Sequence, residues 1–313
     1  MLSIVVPVYN EEKNLPLLFS RLFEVLSQLA FTHEIIVVDD GSTDGSYEVA
    51  RALAMKDDHF IVIQLATNFG QTAALSAGIE HATGDVIVSI DSDLENDPAD
   101  IPRLLAKLDE GYDVVSGWRH NRWKGAFFTR RLPSLMANWL ISRLTGLYLH
   151  DYGCTLKAYR ADVIKSVKLY GEMHRFITAY VSWQGGKVAE IKVNHQSRIH
   201  GKSKYGFGRI FRVLPDLLVI VFMHRYMNRP MHFFGAYGFF SVFLGVCAGL
   251  AALLLRIFGV VHIVETPLPI FSVLLILVGV QMLLFGVIAE ILMRTYYESQ
   301  NKRPYVIADV ERV

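Results

Sequence analysis

Asp85-Val86-Ile87-Val88-Ser89-Ile90-Asp91-Ser92-Asp93 is the stretch on which the fold turns. The run from Val86 to Ile90 reads as a strand buried on both faces, as in a parallel sheet covered by helices. Two carboxylates one residue apart follow at its carboxyl end, the place where open α/β sheets bind ligands. Both side chains can hold one hard divalent cation, Mg²⁺ or Mn²⁺, which takes few carboxylates and completes its octahedron with water and substrate phosphates. An Asp-x-Asp pair also occurs in solvated turns and helix caps, so the rest of the chain must decide.

Outward from this stretch, strand-like and helix-like segments alternate in the manner of βαβ units. Strands are expected at 2–8, 34–38, 60–65, 86–90, 114–117 and 188–193, with helices at 15–29, 47–55, 71–81, 101–109 and 134–144. Ser or Asp within Thr43-Asp44-Gly45-Ser46 caps one of these helices, and Asp97-Pro98 begins another. Pro7-Val8-Tyr9-Asn10, Asp39-Asp40 and Asp91-Ser92-Asp93 all fall at strand exits, so three exits are expected to line one pocket.

The 313 residues are 52% hydrophobic, with mean hydropathy +0.31, and the excess is concentrated. Residues 233–255 and 266–289 contain no Asp, Glu, Lys or Arg, and each stretch exceeds the roughly 20 residues that cross a bilayer core. Joined through residues 259–265, they read as a transmembrane hairpin. Gly235, Gly238, Gly245, Gly249, Gly279 and Gly286 would let its helices approach closely. Arg225, Arg229, Arg294, Lys302 and Arg303 flank the pair, whereas only Arg256 is near the turn. The positive-inside rule therefore puts the N-terminal region in the cytoplasm. Residues 207–223 mix Phe, Leu, Ile and Val with Arg209 and Arg212, the pattern of a helix lying in a membrane surface. The expected organisation is a cytoplasmic domain at 1–205, interfacial amphipathic helices at 206–231, two transmembrane helices at 232–293 and a cytoplasmic tail at 294–313. No signal peptide is expected, and Cys154 and Cys247 are too far apart in character for a structural disulfide.

A formal charge of +1 hides two basic stretches. One holds Arg119, Arg122, Lys124, Arg130 and Arg131; the other holds Arg198, Lys202, Lys204, Arg209 and Arg212. Solvated faces are the ordinary meaning of such runs, but basic groups beside membrane segments attract anionic head groups. Nucleic acid is not an expected partner.

In order along the chain, Val6-Pro7-Val8-Tyr9-Asn10-Glu11, Val37-Val38-Asp39-Asp40-Gly41-Ser42-Thr43-Asp44, Asn68-Phe69-Gly70, Asp91-Ser92-Asp93-Leu94, Asp151-Tyr152-Gly153-Cys154 and Arg198 through Lys204 resemble the inverting family 2 glycosyltransferases of GT-A fold. With the hydrophobic hairpin, the resemblance is to the polyprenyl-phosphate branch that includes bactoprenol glucosyltransferases and dolichyl-phosphate mannose synthase. It implies an α/β fold, a GT-A Rossmann-like mixed sheet with flanking helices, then interfacial helices and the two-helix hairpin.

The same resemblance implies that Pro7, Tyr9, Glu11 and Asp40 grip the base and ribose of a nucleotide sugar, with Val38 packing nearby. A stacking face on Tyr9 and acceptor oxygens on the carboxylates suit that role. Asp91 and Asp93 would hold Mg²⁺ or Mn²⁺, with Glu95 as a third ligand. Arg119, with Arg130 or Arg131 and Ser134, resembles a cluster for the acceptor phosphate, since guanidinium forks suit that dianion. Arg198 and Lys204 resemble a segment that closes over the donor phosphates. Asp151 stands where inverting relatives place a general base, or it orients cations around the acceptor. A phosphate acceptor is already anionic near neutral pH, its second pKa being about 6, and hardly needs a base. In-line attack would invert an α-linked donor to a β-linked lipid phosphate.

The expected activity is transfer of a hexose, glucose from UDP-glucose, to undecaprenyl phosphate at the cytoplasmic membrane face. Alternatives are GDP-mannose with dolichyl phosphate, a modified sugar such as an aminoarabinose derivative, or a catalytically silent membrane scaffold. Retention of both Asp91 and Asp93 argues against the scaffold. A processive polysaccharide synthase is disfavoured by the two spans and the missing Gln-x-x-Arg-Trp motif, and homo-oligomerisation is left open. The eleven histidines form no metal signature: His195 and His200 lie near Arg198 and read as surface residues. Asn68-Phe69-Gly70-Gln71 lacks the residues of a phosphate loop and is expected to shape the wall of the donor pocket.

Overall fold

A computed structural model describes residues 1–29, 31–120, 132–167, 169, 173–196, 222, 230–259, 262, 265–299 and 307–312. Two compact units divide the chain: residues 1–209 with 303–313, and residues 210–302.

The first unit is built on one eight-stranded mixed sheet. In chain order its elements are β1 (Leu2–Val8), α1 (Leu15–Leu26), β2 (His33–Asp39), α2 (Ser46–Ala54), β3 (Phe60–Leu65), α3 (Gln71–His81), β4 (Val86–Ser89), α4 (Ile101–Asp109), β5 (Val114–Trp118) and α5 (Leu132–Thr145). There follow β6 (Lys157–Arg160), α6 (Ala161–Ser166), α7 (Ile177–Trp183), β7 (Val188–Lys192) and, after the second unit, β8 (Ile307–Arg312). The strand order is β7-β5-β6-β4-β1-β2-β3-β8. β4, β1, β2 and β3 run parallel, β6 lies antiparallel between β4 and β5, and β8 runs antiparallel on the outer side of β3.

Why the parallel strands are continuous apolar runs follows from burial on both faces. Every residue of β1 is buried. One face packs on α1, α2 and α4 through Ile4, Val6, Leu18, Leu22, Ile35 and Leu104. The other carries Val5, Ile36 and Val38 beneath the small buried face of α3. On α1, Leu15, Leu18, Phe19, Leu22 and Leu26 fall at helical spacing and form the buried stripe, and a proline starts the helix where its missing N–H costs nothing. The expected helix at 15–29 ends three residues sooner.

Register places the pocket. Val8 pairs with Asp39, and Val5 with Ser89, so the carboxyl ends of β1, β2 and β4 reach one edge together. Asp97 caps a short 3₁₀ turn, accepting from the Ala99 amide at 3.0 Å, before α4 begins.

In the second unit, α8 (Pro230–Ile257) and α9 (Leu268–Ser299) are antiparallel helices long and apolar enough to cross a membrane. Backbone proximity explains the glycines. A Cβ on Gly279 would stand 2.6 Å from Val242 Cγ2 and 2.7 Å from the Gly238 carbonyl oxygen. Ser241 Oγ donates to the Leu275 carbonyl at 2.7 Å and Ser272 Oγ to that of Gly245 at 2.7 Å, which stitches the pair where water is scarce. The interfacial helices expected within 206–231 fall almost wholly outside the described residues.

Gly279→Leu should force α8 and α9 apart, an overpacking cost of about 1–3 kcal/mol. The check is a lowered midpoint of thermal aggregation for the detergent-purified protein, with the conservative Val280→Leu as control.

Candidate active site

Turns at the strand exits are locked to one another before any ligand arrives. Asn10, in a left-handed conformation (φ 57°), accepts from the Thr43 amide at 2.8 Å through Oδ1, and its own amide donates to Ser42 Oγ at 3.0 Å. The Glu11 amide donates to Ser46 Oγ at 2.8 Å, and Glu11 Oε2 accepts from Asn14 Nδ2 at 2.6 Å. Gly41 sits at φ +67°, with a Cβ position only 2.5 Å from the Thr67 carbonyl carbon, so no larger residue fits. The N-cap of α2 is Gly45, without a side-chain cap, in place of the expected Ser or Asp; Asp44, one residue earlier, accepts from the Ser46 amide at 3.0 Å.

Asp40 anchors the pocket wall. Its carboxylate accepts from the amides of Phe69 at 2.8 Å and Gly70 at 2.9 Å, and from Asn68 Nδ2 at 3.0 Å. The Asn68-Phe69-Gly70 amides are thus turned onto a carboxylate and cannot cradle a phosphate. Asp39, which the sequence reading passed over, is 0% exposed; Oδ2 accepts from the Ser42 amide at 3.2 Å, and Oδ1 has no hydrogen-bond partner among the described residues. Burial raises the pKa of both Asp39 and Asp40. The sequence signals for Asp39 were its place at a strand exit beside Asp40 and within the family-like run Val37-Val38-Asp39-Asp40, neither of which gave it a role.

At the exit of β4, Ser92 Oγ donates to the Pro7 carbonyl at 3.0 Å and ties the acidic turn to β1. Asp91 Oδ1 accepts from Gln71 Nε2 at 2.7 Å, and Asp93 Oδ1 accepts from the Glu95 amide at 3.0 Å. Leu94 takes φ 61°, a conformation a leucine seldom adopts. Burial first, and the Asp93 charge second, push the Asp91 pKa up to about 7. Two buried carboxylates that repel each other are what a bound Mg²⁺ or Mn²⁺ would relieve, and two suffice when phosphates and water complete the shell. Among the described residues, no three His, Cys, Asp or Glu side chains converge as a metal cage; Glu95 Oε2 instead stands 3.7 Å from Arg119 Nη1.

Arg119 follows β5 and is 5% exposed. Its fork is spent on Asp151: Nε donates to Oδ2 at 2.7 Å and Nη2 to Oδ1 at 3.0 Å. Burial works against the guanidinium charge, but Asp151 and Glu95 outweigh it and raise its pKa. Asp151 is itself aimed by the Gly153 amide at 3.0 Å, while Glu190 on β7 accepts from the Asp151 amide at 2.9 Å.

The structure therefore brings Asp91, Asp93, Glu95, Arg119 and Asp151 together, next to the β1 and β2 turns carrying Tyr9, Glu11 and Asp40. Pro7 and Val38 lie inside the sheet; Val38 is core beneath α3. Ser134 stands in the first turn of α5, and Arg130, Arg131, Arg198 and Lys204 lie outside the described residues.

A mixed sheet with an Asp-x-Asp turn at the exit of its central parallel strands defines a GT-A nucleotide-sugar transferase fold. The chain belongs to glycosyl transferase family 2, whose profile matches residues 3–168. A dodecaprenyl-phosphate galacturonate synthase of Rhizobium johnstonii is 43% identical over 99% of this chain and 92% of its own length. An undecaprenyl-phosphate 4-deoxy-4-formamido-L-arabinose transferase of Shewanella sediminis is 38% identical over 98% and 92%. Among solved structures, glucosyl-3-phosphoglycerate synthase of Mycobacterium tuberculosis, in complex with Mn²⁺, UDP and phosphoglyceric acid, superposes with TM-score 0.56 at 19% identity, over 72% of this chain and 78% of that one. At that identity the likeness concerns the fold.

A carboxyl whose pKa is raised to about 7 adds stability when protonated and loses it as pH rises through 7. In EDTA, Asp91→Asn should therefore melt several degrees higher than the wild type at pH 8.5, and the gap should close as pH falls from 7 toward the ordinary carboxylate pKa, leaving nearly the same temperature at pH 4. Equal shifts at both pH values would show that Asp91 is not held protonated.

Proposed function

We propose that this chain transfers a sugar from a nucleotide diphosphate donor to a polyprenyl phosphate, with inversion, at the cytoplasmic face of a membrane that its hydrophobic hairpin spans. The observation that carries this reading is the Asp91–Asp93 turn set beside the buried Arg119–Asp151 pair, in a chain whose relatives act on dodecaprenyl and undecaprenyl phosphates. Glucose, the donor expected from sequence, has no support in those names. A hexuronate, as in the Rhizobium relative, is the donor of first choice, carried on uridine diphosphate.

Asp91 and Asp93 would hold the Mg²⁺ or Mn²⁺, which when bound offsets charge on the leaving diphosphate. Asp39 and Tyr9 face the nucleoside: the orphaned Asp39 oxygen is a ready acceptor for a base N–H, and Tyr9 offers a ring to stack on. Asp151 orients rather than accepts a proton. Its two oxygens are engaged by Arg119, and an acceptor phosphate supplies its own negative oxygen to the anomeric carbon as the bond to the diphosphate breaks. Arg119, with Arg130, Arg131 and Ser134, receives the acceptor, and Arg198 and Lys204 the donor phosphates. The protein's work is to bring two anions within reach and screen their repulsion.

Purified enzyme with Mn²⁺, undecaprenyl phosphate and a panel of radiolabelled nucleotide sugars should yield one lipid-linked product. Asp93→Ala should stay folded yet lose about a thousandfold in rate, the equivalent of several kcal/mol of charge stabilisation; undiminished product would refute the metal role.

Replacing Arg119 by Ala leaves Asp151 buried and unpaired, at about 3–5 kcal/mol, so Arg119→Lys is the informative change. It keeps the charge, loses the fork, and should raise the acceptor KM about tenfold while donor KM stays within a factor of two. A shift confined to the donor would reassign Arg119.

A further inference from the structure

Behind Asp91 the sheet holds a cation where its core should be apolar. Lys157 on β6 pairs with Ser89 of β4 on one side and Ser116 of β5 on the other. Its side chain shares the face on which Val114, Ile87 and Tyr159 pack. Lys157 is 2% exposed and makes no hydrogen bond to another described residue; burial lowers its pKa. A buried ammonium without a bonded partner is costly.

Lys157 instead borders a small cleft. Lys157, His174, Arg175, Tyr152, Tyr159 and Thr155 contribute to its wall, and among the described residues that line it none is acidic. Arg175 is 9% exposed. The cleft adjoins the Asp91 site through two successive residues of α3: Gln71 Nε2 bonds Asp91 at 2.7 Å, and Thr72 Oγ1 lies 2.7 Å from His174 Nδ1. Thr155, on its wall, hydrogen-bonds Asp91 from the other side.

The nearest carboxylates do not satisfy Lys157. Asp151 is bound bidentately by Arg119, and Asp91 is turned to Gln71 and Thr155. We infer that Lys157 and Arg175, with His174, form a subsite for the carboxylate of a uronic acid donor, placed behind the Asp91 turn. This rests on the transferase reading above and assigns the sugar-reading residues within it. A hexuronate and its neutral hexose differ only at C6, so a cation pair there separates them by charge and hydrogen bonds together.

The test compares UDP-galacturonate with UDP-galactose, using undecaprenyl phosphate as acceptor. Wild type should favour the uronate in kcat/KM by about a hundredfold. Lys157→Met and Arg175→Gln should each lower kcat/KM for the uronate at least about tenfold, while turnover of UDP-galactose stays within a factor of two and certifies the fold. Equal losses on both donors would overturn the subsite in favour of a structural Lys157. A raised acceptor KM with donor preference intact would overturn it in favour of the acceptor phosphate. If no nucleotide sugar gives lipid-linked product, the transferase reading fails, and titration calorimetry of the two UDP-sugars on the same three proteins decides the subsite alone. Tighter uronate binding in wild type, lost in both variants, supports it; equal affinities in wild type overturn it.

Discussion

Negative charge gathered at one edge of a sheet is the constraint from which the catalytic unit follows. Parallel strands bring their carboxyl ends to the same side, and the β1–β2–β4 register sets Asp39, Asp40, Asp91 and Asp93 there together. Their mutual repulsion is tolerable only because each is tied separately: Asp40 by the Phe69 and Gly70 amides, Asp91 by Gln71, Asp93 by the Glu95 amide. What those donors do not neutralise remains as tension, visible in the raised Asp91 pKa. A site arranged in this way gives up folding stability for the charge it gathers, and a cation bound there would relieve it.

Opposite charge is handled in the adjoining layer by the same logic. Arg119 would be a poor buried residue alone; paired bidentately with Asp151 it is neutralised in place and held rigid, since leaving either partner unpaired would cost more than the pair gains. Glu190 fixes the Asp151 backbone from β7, so the pair is positioned by strands on both sides. Rigidity of this kind matters where the reacting groups are two anions, because their approach is governed by where fixed charges stand.

Local chemistry made much of this legible in the sequence. Residues 60–65 and 71–81 form the expected strand and helix without change, because the first is a nearly unbroken β-branched and apolar run and the second opens after Gly70 on helix-forming Gln, Ala and Leu. β6 was not legible. Lys157-Ala158-Tyr159-Arg160 has no apolar run, and it is a strand only because β4 and β5 supply hydrogen bonds from 68 and 45 residues away at the Ser89–Lys157 and Val114–Tyr159 pairs, differences no local window contains. For the same reason nothing in the sequence singled out Lys157. The role of Asp40 as anchor for residues 68–70 needed the fold, since the amides it binds lie about thirty positions on. Ile307–Arg312 carries Asp, Glu and Arg, which suits an edge strand and disguised it as tail.

The placement of β8 bears on the membrane topology. Chain on either side of the hydrophobic hairpin folds into one unit, residues 1–209 with 303–313, and β8 hydrogen-bonds along β3. A single sheet cannot lie on both sides of a bilayer, so under the proposed membrane reading the intervening segment would cross an even number of times. Two apolar helices, stitched antiparallel by Ser241 and Ser272, meet that requirement. An odd count would leave the β3 edge without its partner strand and expose a row of unpaired backbone groups. Strand pairing of β8 with β3 thus sets a parity that any membrane threading of the hydrophobic segment would have to meet.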